Sequence, residues 1–165
     1  MITIPSHHLN AVQACVNPQE ARPYLHGFYI DTEARCIVGT DGHIILAAPY
    51  EGSGPGGIYR PLKLPARKVP YQVTISETLA YTVNAQALPL EPITGVTYPV
   101  WQRVLASTPI EVSRMCFDPQ LLAPVAKALN DSCRMECDTG DRLRITWLEN
   151  PDLVCTLMSV RDRKI

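Results

Sequence analysis

The order strand, helix, three strands occurs twice along this 165-residue chain. Near the start, "MITIP" reads as a short strand ending at Pro5, and Ser6 is placed to cap a helix whose Leu9, Val12 and Val16 recur at helical spacing. "YLHGFYID", "ARCIVGT" and "HIILAAPY" follow as three strand-like runs separated by turn residues. The second unit opens on "IEVSRMCF", again a strand. Asp118 then serves as an N-cap, with Pro119 at the first helical position, where its missing N–H would have no partner anyway. Leu121, Leu122, Val125 and Leu129 form the apolar stripe of this helix, and Pro124 inside it is expected to kink or loosen the first turns. "CRMECD", "RLRITWLE" and "LVCTLMSVR" supply three strands, joined through "TGD" and "NPD". One such unit leaves a face of its helix and sheet uncovered, whereas two packed together bury a common core.

The expected architecture is therefore α+β, a single domain over 1–165 with two helices packed on antiparallel sheets. The first unit takes 1–50, a connector with extra strands 51–109 and the second unit 110–165. Leu9, Val12, Leu121, Val125, Leu129, Ile145 and Val154 are expected in the core. The connector opens with "EGSGPGG", which has no P-loop lysine and fits no dinucleotide fingerprint, so it reads as a flexible loop. "YQVTIS" and "LAYTVN" look like strands, and "GVTYPVWQRVLAS" contains a short helical turn near 101–105.

Composition narrows the function classes. Apolar residues make up 46% and charged ones 19%, with a net charge of -1, which gives no strong whole-molecule attraction to nucleic acid. "MITIPSHHLN" lacks the basic start and apolar stretch of a signal peptide, and no run reaches the length of a membrane span. The expectation is a cytoplasmic protein without a membrane partner. Cys15, Cys36, Cys116, Cys133, Cys137 and Cys155 contain no Cys-x-x-Cys pair and read as reduced residues, mostly packed in strands. Cys133 and Cys137 share a strand face and are the sharper zinc alternative, but no His lies nearby in the chain, so neither a metal nor any other cofactor is expected.

"CIVGTDGHIILAA" sets Asp41 and Gly42 between two β-rich runs. An Asp-Gly pair there signals a hairpin with a type I′ turn, positive in φ at both central residues. An acid beside a histidine also raises acid–base chemistry, with His7, His8, Asp41 and His43 as the candidates. No nucleophile-elbow or zincin pattern accompanies them, and neighbouring His7 and His8 diverge on a helix. An enzyme is not expected, and no residue is assigned a catalytic role.

Three stretches together resemble the bacterial DNA polymerase III β subunit, the sliding clamp. "YLHGFYIDTEARCIVGTDGHIILAA" is similar to the hairpin of the clamp's middle domain, and "YPVWQRVLA" to the segment that closes that domain. "CFDPQLLAPVAKAL" and the terminal "CTLMSVR" are similar to the last half of the clamp's third domain. The resemblance implies a shortened, single DNA-clamp-like domain that joins the middle domain directly to the last half of the third. It also implies a pocket for short linear motifs, lined by Leu25, Thr40, Gly42, His43, Ile45, Pro99, Arg103, Val104, Leu157, Met158, Ser159, Val160 and Arg161. Ile44 stands where the family usually has Arg, and Ser159 and Val160 replace Pro and Met.

The function so implied is a non-enzymatic interaction module. Its partners would be clamp-binding-motif proteins, such as replicative or repair polymerases and the clamp loader. The alternative is a subunit of a DNA-encircling ring assembled from several copies, whose helices would need Lys and Arg to attract phosphates. The first helix has neither and the second only Lys127, while Arg134, Arg142, Arg144, Arg161, Arg163 and Lys164 lie on strands and the tail. Weak or no direct DNA binding follows. Duplex-DNA titrations across a salt series should show low affinity at physiological salt; tight, steeply salt-dependent binding together with a multi-copy mass would favour the ring.

Overall fold

Alternation of apolar side chains builds most of the structure, since a strand covered on one face presents every second residue to the core. The computed structural model describes residues 1–65, 69, 71–83, 85–105, 116–138 and 142–160. Strand β1 (Ile2–Pro5) runs straight into helix α1 (Ser6–Ala14), and a 3₁₀ turn at Pro23–Leu25 leads to β2 (Phe28–Asp31), β3 (Cys36–Thr40) and β4 (Ile44–Pro49). Then come β5 (Glu51–Gly52), β6 (Gly57–Tyr59), β7 (Gln72–Ile75), β8 (Ala80–Val83), β9 (Gln86–Pro89) and β10 (Pro92–Ile93). A second 3₁₀ turn at Trp101–Val104 precedes helix α2 (Pro119–Leu129), and β11 (Cys133–Cys137), β12 (Arg142–Trp147) and β13 (Val154–Met158) follow it.

Two antiparallel sheets result. One has the order β5-β1-β7-β8-β9, the other β10-β6-β2-β3-β4-β13-β12-β11. In the larger sheet β4 pairs with β13, Ile45 opposite Thr156 and Ile44 opposite Leu157, so the three-strand runs that follow α1 and α2 merge into one surface. Its inner face contributes Phe28, Ile30, Leu46, Ile145, Trp147, Cys155 and Leu157 to a core shared with Leu9 and Val12 of α1, Val125 and Leu129 of α2, and Ile4 and Val73 of the smaller sheet. Its outer face places Val38, Ile45, Ala47 and Ile58 beneath Tyr98 and Trp101, a second and smaller core. Covered on both sides, β4 is apolar at successive positions rather than alternate ones. At Gly39 a Cβ would overlap the Val12 carbonyl, so glycine is what lets α1 lie directly against β3.

Several expectations are met in a different way. Ser6 does not cap α1: Pro5 holds the N-cap position, and the buried Ser6 Oγ accepts from Tyr71 N–H at 3.1 Å, tying the helix to the start of β7. Asp118 does cap α2, accepting from Gln120 N–H at 2.9 Å, and the helix continues through Pro124 to Leu129. The "EGSGPGG" connector is not simply a loop, because its ends are β5, paired to β1, and β6, paired to β2. The Asp41–Gly42 turn is not type I′, since only Gly42 has positive φ, at 92°. Asp41 Oδ1 instead accepts from the N–H groups of His43 (2.8 Å) and Ile44 (3.0 Å). Thr40 Oγ1 accepts from Gly42 N–H at 3.0 Å and donates to Ile44 O at 2.7 Å, so two side chains close the turn. Val154 is exposed, on the outer face of β13, and Leu121 is only partly buried. Residues 110–115 of the expected "IEVSRMCF" strand, the "TGD" at 139–141, and Arg161, Arg163 and Lys164 lie outside the described residues.

His7 and His8 do not diverge. Both Nε2 atoms meet Asn150 Oδ1, at 3.3 and 2.7 Å, and the rings contact edge-on with centroids 4.3 Å apart. Asn150 Nδ2 donates to Asp131 Oδ2 at 3.0 Å, which turns the amide oxygen toward the imidazoles. Each imidazole therefore donates from Nε2, and each Nδ1 is buried without a hydrogen-bond partner among the described residues. Burial holds the His8 pKa below its ordinary value, with the neighbouring His7 adding to the effect and the Asn150 bond opposing it. Because the folded pKa is depressed, the unfolded chain binds more protons in this range. Stability should be full above about pH 6.5 and fall as the pH drops below it. Urea titrations at pH 7.5 and 5.5 should show the lower midpoint at pH 5.5, with the difference reduced in His8→Gln.

Candidate functional site

The outer face of the seam between β4 and β13 is not fully covered. Beside the outer core lies a cavity of about 220 Å³, floored by Ile45 of β4 and by Thr156 and Met158 of β13. The Thr40–His43 turn forms one end, and Arg22, Tyr24 and Leu25 before β2 form another. Pro99, Val100, Trp101 and Val104 make the remaining wall. This lining is mostly apolar. The volume is below the roughly 300–1,000 Å³ of sites that enclose whole small molecules, and suits an anchoring side chain on a longer ligand. Exposed Val100, Val104 and Met158 extend apolar surface out to its mouth.

The wall is fastened from three directions. Tyr98 stacks on Tyr29 with centroids 4.6 Å apart and planes 14° off parallel, and burial pushes the Tyr98 hydroxyl pKa well up. Trp101 Nε1 donates to Asp31 Oδ2 at 2.8 Å. From the second unit, Arg142 pairs with the buried Asp138 at 2.9 Å and donates from Nη1 to Arg103 O at 3.2 Å.

Of the expected pocket residues, Leu25, Thr40, Gly42, His43, Ile45, Pro99, Val104 and Met158 line this one cavity. Leu157 does not. Strand alternation points Thr156 and Met158 outward and Leu157 into the main core, where it is fully buried. Arg103 and Ser159 also lie off the cavity, as does Val160, whose N–H instead donates to Cys116 O at 2.9 Å. Arg161 is outside the described residues. Sequence reading missed Arg22, Tyr24, Ile44, Val100, Trp101 and Thr156. Thr156 was available from period-two counting back from Met158, and Val100 and Trp101 from their place beside Pro99 in one tight turn.

Of the four acid–base candidates, Asp41 and His43 lie together in the turn, 3.9 Å apart, and His7 and His8 lie elsewhere, on α1. The Asp41 carboxylate is engaged by the turn, His43 is exposed, and His7 and His8 belong to the Asn150 cluster. Among the described residues no three His, Cys, Asp or Glu side chains converge as metal ligands, and no helix is long and apolar enough to cross a membrane.

Three solved structures superpose on this arrangement. The DNA polymerase III β subunit of Thermotoga maritima matches with a TM-score of 0.63 at 9% identity, over 100% of this chain and 66% of its own. The fold is that of a bacterial sliding clamp. The Caulobacter crescentus β clamp matches at TM-score 0.65 and 15% identity, over 97% of this chain and 65% of its own. The Bartonella birtlesii clamp, solved bound to griselimycin, matches at 0.61 and 15%, over 97% and 66%. No protein-family model matches the chain, and no curated protein matches it in sequence. The chain thus spans just under two thirds of each clamp's length.

The burial of Leu157 separates packing from binding. Leu157→Ala should cost about 2–5 kcal/mol of stability, as truncation in a closed core does. Chemical denaturation of the variant checks it, and a change within about 0.5 kcal/mol would return Leu157 to the surface.

Proposed function

We propose that this protein is a non-enzymatic clamp-like module that captures short peptide motifs of replication and repair proteins, such as polymerases and the clamp loader. The observation that carries this reading is the small apolar cavity on the β4–β13 seam, open at its mouth beside exposed Val100, Val104 and Met158. An extended peptide would seat a Leu or Phe against Ile45, Val104 and Met158. Each well-buried anchor contributes about 1.5–3 kcal/mol. Fixing the peptide and the lost rigid-body freedom subtract several kcal/mol. Two or three anchors contribute at most about 9 kcal/mol gross, so backbone hydrogen bonds along the peptide have to supply the rest of the roughly -8 kcal/mol that a micromolar dissociation constant requires.

The cavity also favours a ligand with few charges. Thr40 and Thr156 are buried, and the cation at the rim, Arg22, is paired with Glu20 at 2.9 Å. Polar selection would come from backbone groups and the exposed His43 ring. Calorimetry with a consensus clamp-binding peptide should give micromolar binding. Met158→Ala should weaken it about tenfold while leaving the fold intact, and His7→Ala, on α1, should leave it unchanged. No heat at high micromolar peptide would overturn the proposal.

A further inference from the structure

The wall of the cavity is a short 3₁₀ turn with no sheet hydrogen bonds of its own, and its central side chain is fastened to a single carboxylate. Asp31, at the end of β2, is 8% exposed. Its Oδ1 accepts from the N–H groups of Glu33 at 3.0 Å and Ala34 at 2.9 Å, closing the turn into β3. Its Oδ2 accepts from Trp101 Nε1 at 2.8 Å and Gln102 Nε2 at 3.3 Å, on a segment 70 residues further along. We propose that Asp31 is the positioning residue of the peptide cavity: it sets where Val100, Trp101 and Val104 stand, although it does not line the cavity itself. This rests on the peptide-binding reading for its functional consequence and on the four hydrogen bonds for its mechanism.

The chemistry favours a carboxylate here over an amide. Four N–H donors converge on two oxygens, and only an ionised carboxylate offers acceptor capacity on both. Burial opposes the charge, but the donors of Ala34, Trp101, Glu33 and Gln102 together hold the carboxyl below its ordinary pKa. Charge-assisted bonds of this kind are stronger than neutral ones. The two other tethers grip different points of the wall, Tyr98 through its ring and Arg103 through its carbonyl. Trp101, 6% exposed and packed in the outer core, both lines the cavity and carries the indole that Asp31 holds. A wall held this way is formed before the ligand arrives, so binding does not have to order it.

The test combines the indole N–H signal of Trp101, distinguished from that of Trp147 by Trp101→Phe, with calorimetry on the same consensus peptide. In the wild-type protein the Trp101 indole N–H should exchange slowly with solvent. Asp31→Asn keeps the side chain's size but turns an amide donor toward the indole or the β2–β3 turn. It should speed that exchange at least tenfold, move the Val100 and Val104 methyl signals, and weaken the peptide at least fivefold. Asp31→Asn combined with Trp101→Phe should lose less affinity than the sum of the two single losses, because both changes remove the Asp31–Trp101 bond. Additive effects, unchanged indole exchange in Asp31→Asn, or peptide affinity within twofold of wild type would each overturn the assignment. Should Asp31→Asn fail to fold, Asp31→Glu, which keeps the charge but displaces the carboxylate, carries the test and must speed the indole exchange at least tenfold and weaken the peptide at least threefold. A wild-type protein that gives no heat with the peptide overturns the peptide-binding reading, whereas a fast-exchanging indole in a wild-type protein that binds overturns the Asp31 role only.

Discussion

Four backbone pairs, Ala47 with Val154, Leu46 with Cys155, Ile45 with Thr156 and Ile44 with Leu157, join the halves of the molecule. Without them each half would end in an open edge, β4 on one side and β13 on the other, with N–H and C=O groups unpaired. With them the inner face is continuous enough to cover both helices, and the outer face is continuous enough to floor a cavity. Register matters as much as the pairing itself. A slip of one residue would turn Thr156 and Met158 inward and Leu157 outward, exchanging the cavity floor for core.

The cavity exists because the outer face is only partly covered. Segment 98–104 lies over Val38, Ile45 and Ala47 and stops short of Thr156 and Met158. What keeps it from collapsing onto the sheet is a set of specific polar and aromatic attachments, to Tyr29, Asp31 and Arg142, drawn from both units. Such attachments fix distance as well as contact, which an apolar surface alone does not.

Much of this was legible in the chain. The strand-helix-three-strand order of the first unit, the Asp118 cap of α2 and the β11–β13 runs follow from local pattern, and the structure has them. Eight of the residues named by resemblance meet at one cavity because they sit in turns and strand ends that the fold brings together. The failures have physical causes. Ser6 looked like a cap, but its hydroxyl is taken by Tyr71, a partner far along the chain. Leu157 looked like a lining residue because Thr156 and Met158 beside it line the cavity, and only the register decides which of two adjacent residues faces out. The Asp31–Trp101 bond joins residues with no local signal in common, so no window of sequence could reveal it.

The β4–β13 pairing also has a cost in time. Ile44 and Leu157 are separated by more than a hundred residues, and β4 is apolar on both faces. A ribosome adding roughly 5–20 residues per second leaves β4 without that partner for about ten seconds. During that interval "IILAA" is an unpaired, uncharged β-edge of the kind that recruits other nascent chains. The hairpin with β3 shields one side of it, and the glycine-bearing turn that closes this hairpin forms locally and early. The other side stays open until β13 has been made and can pair with it.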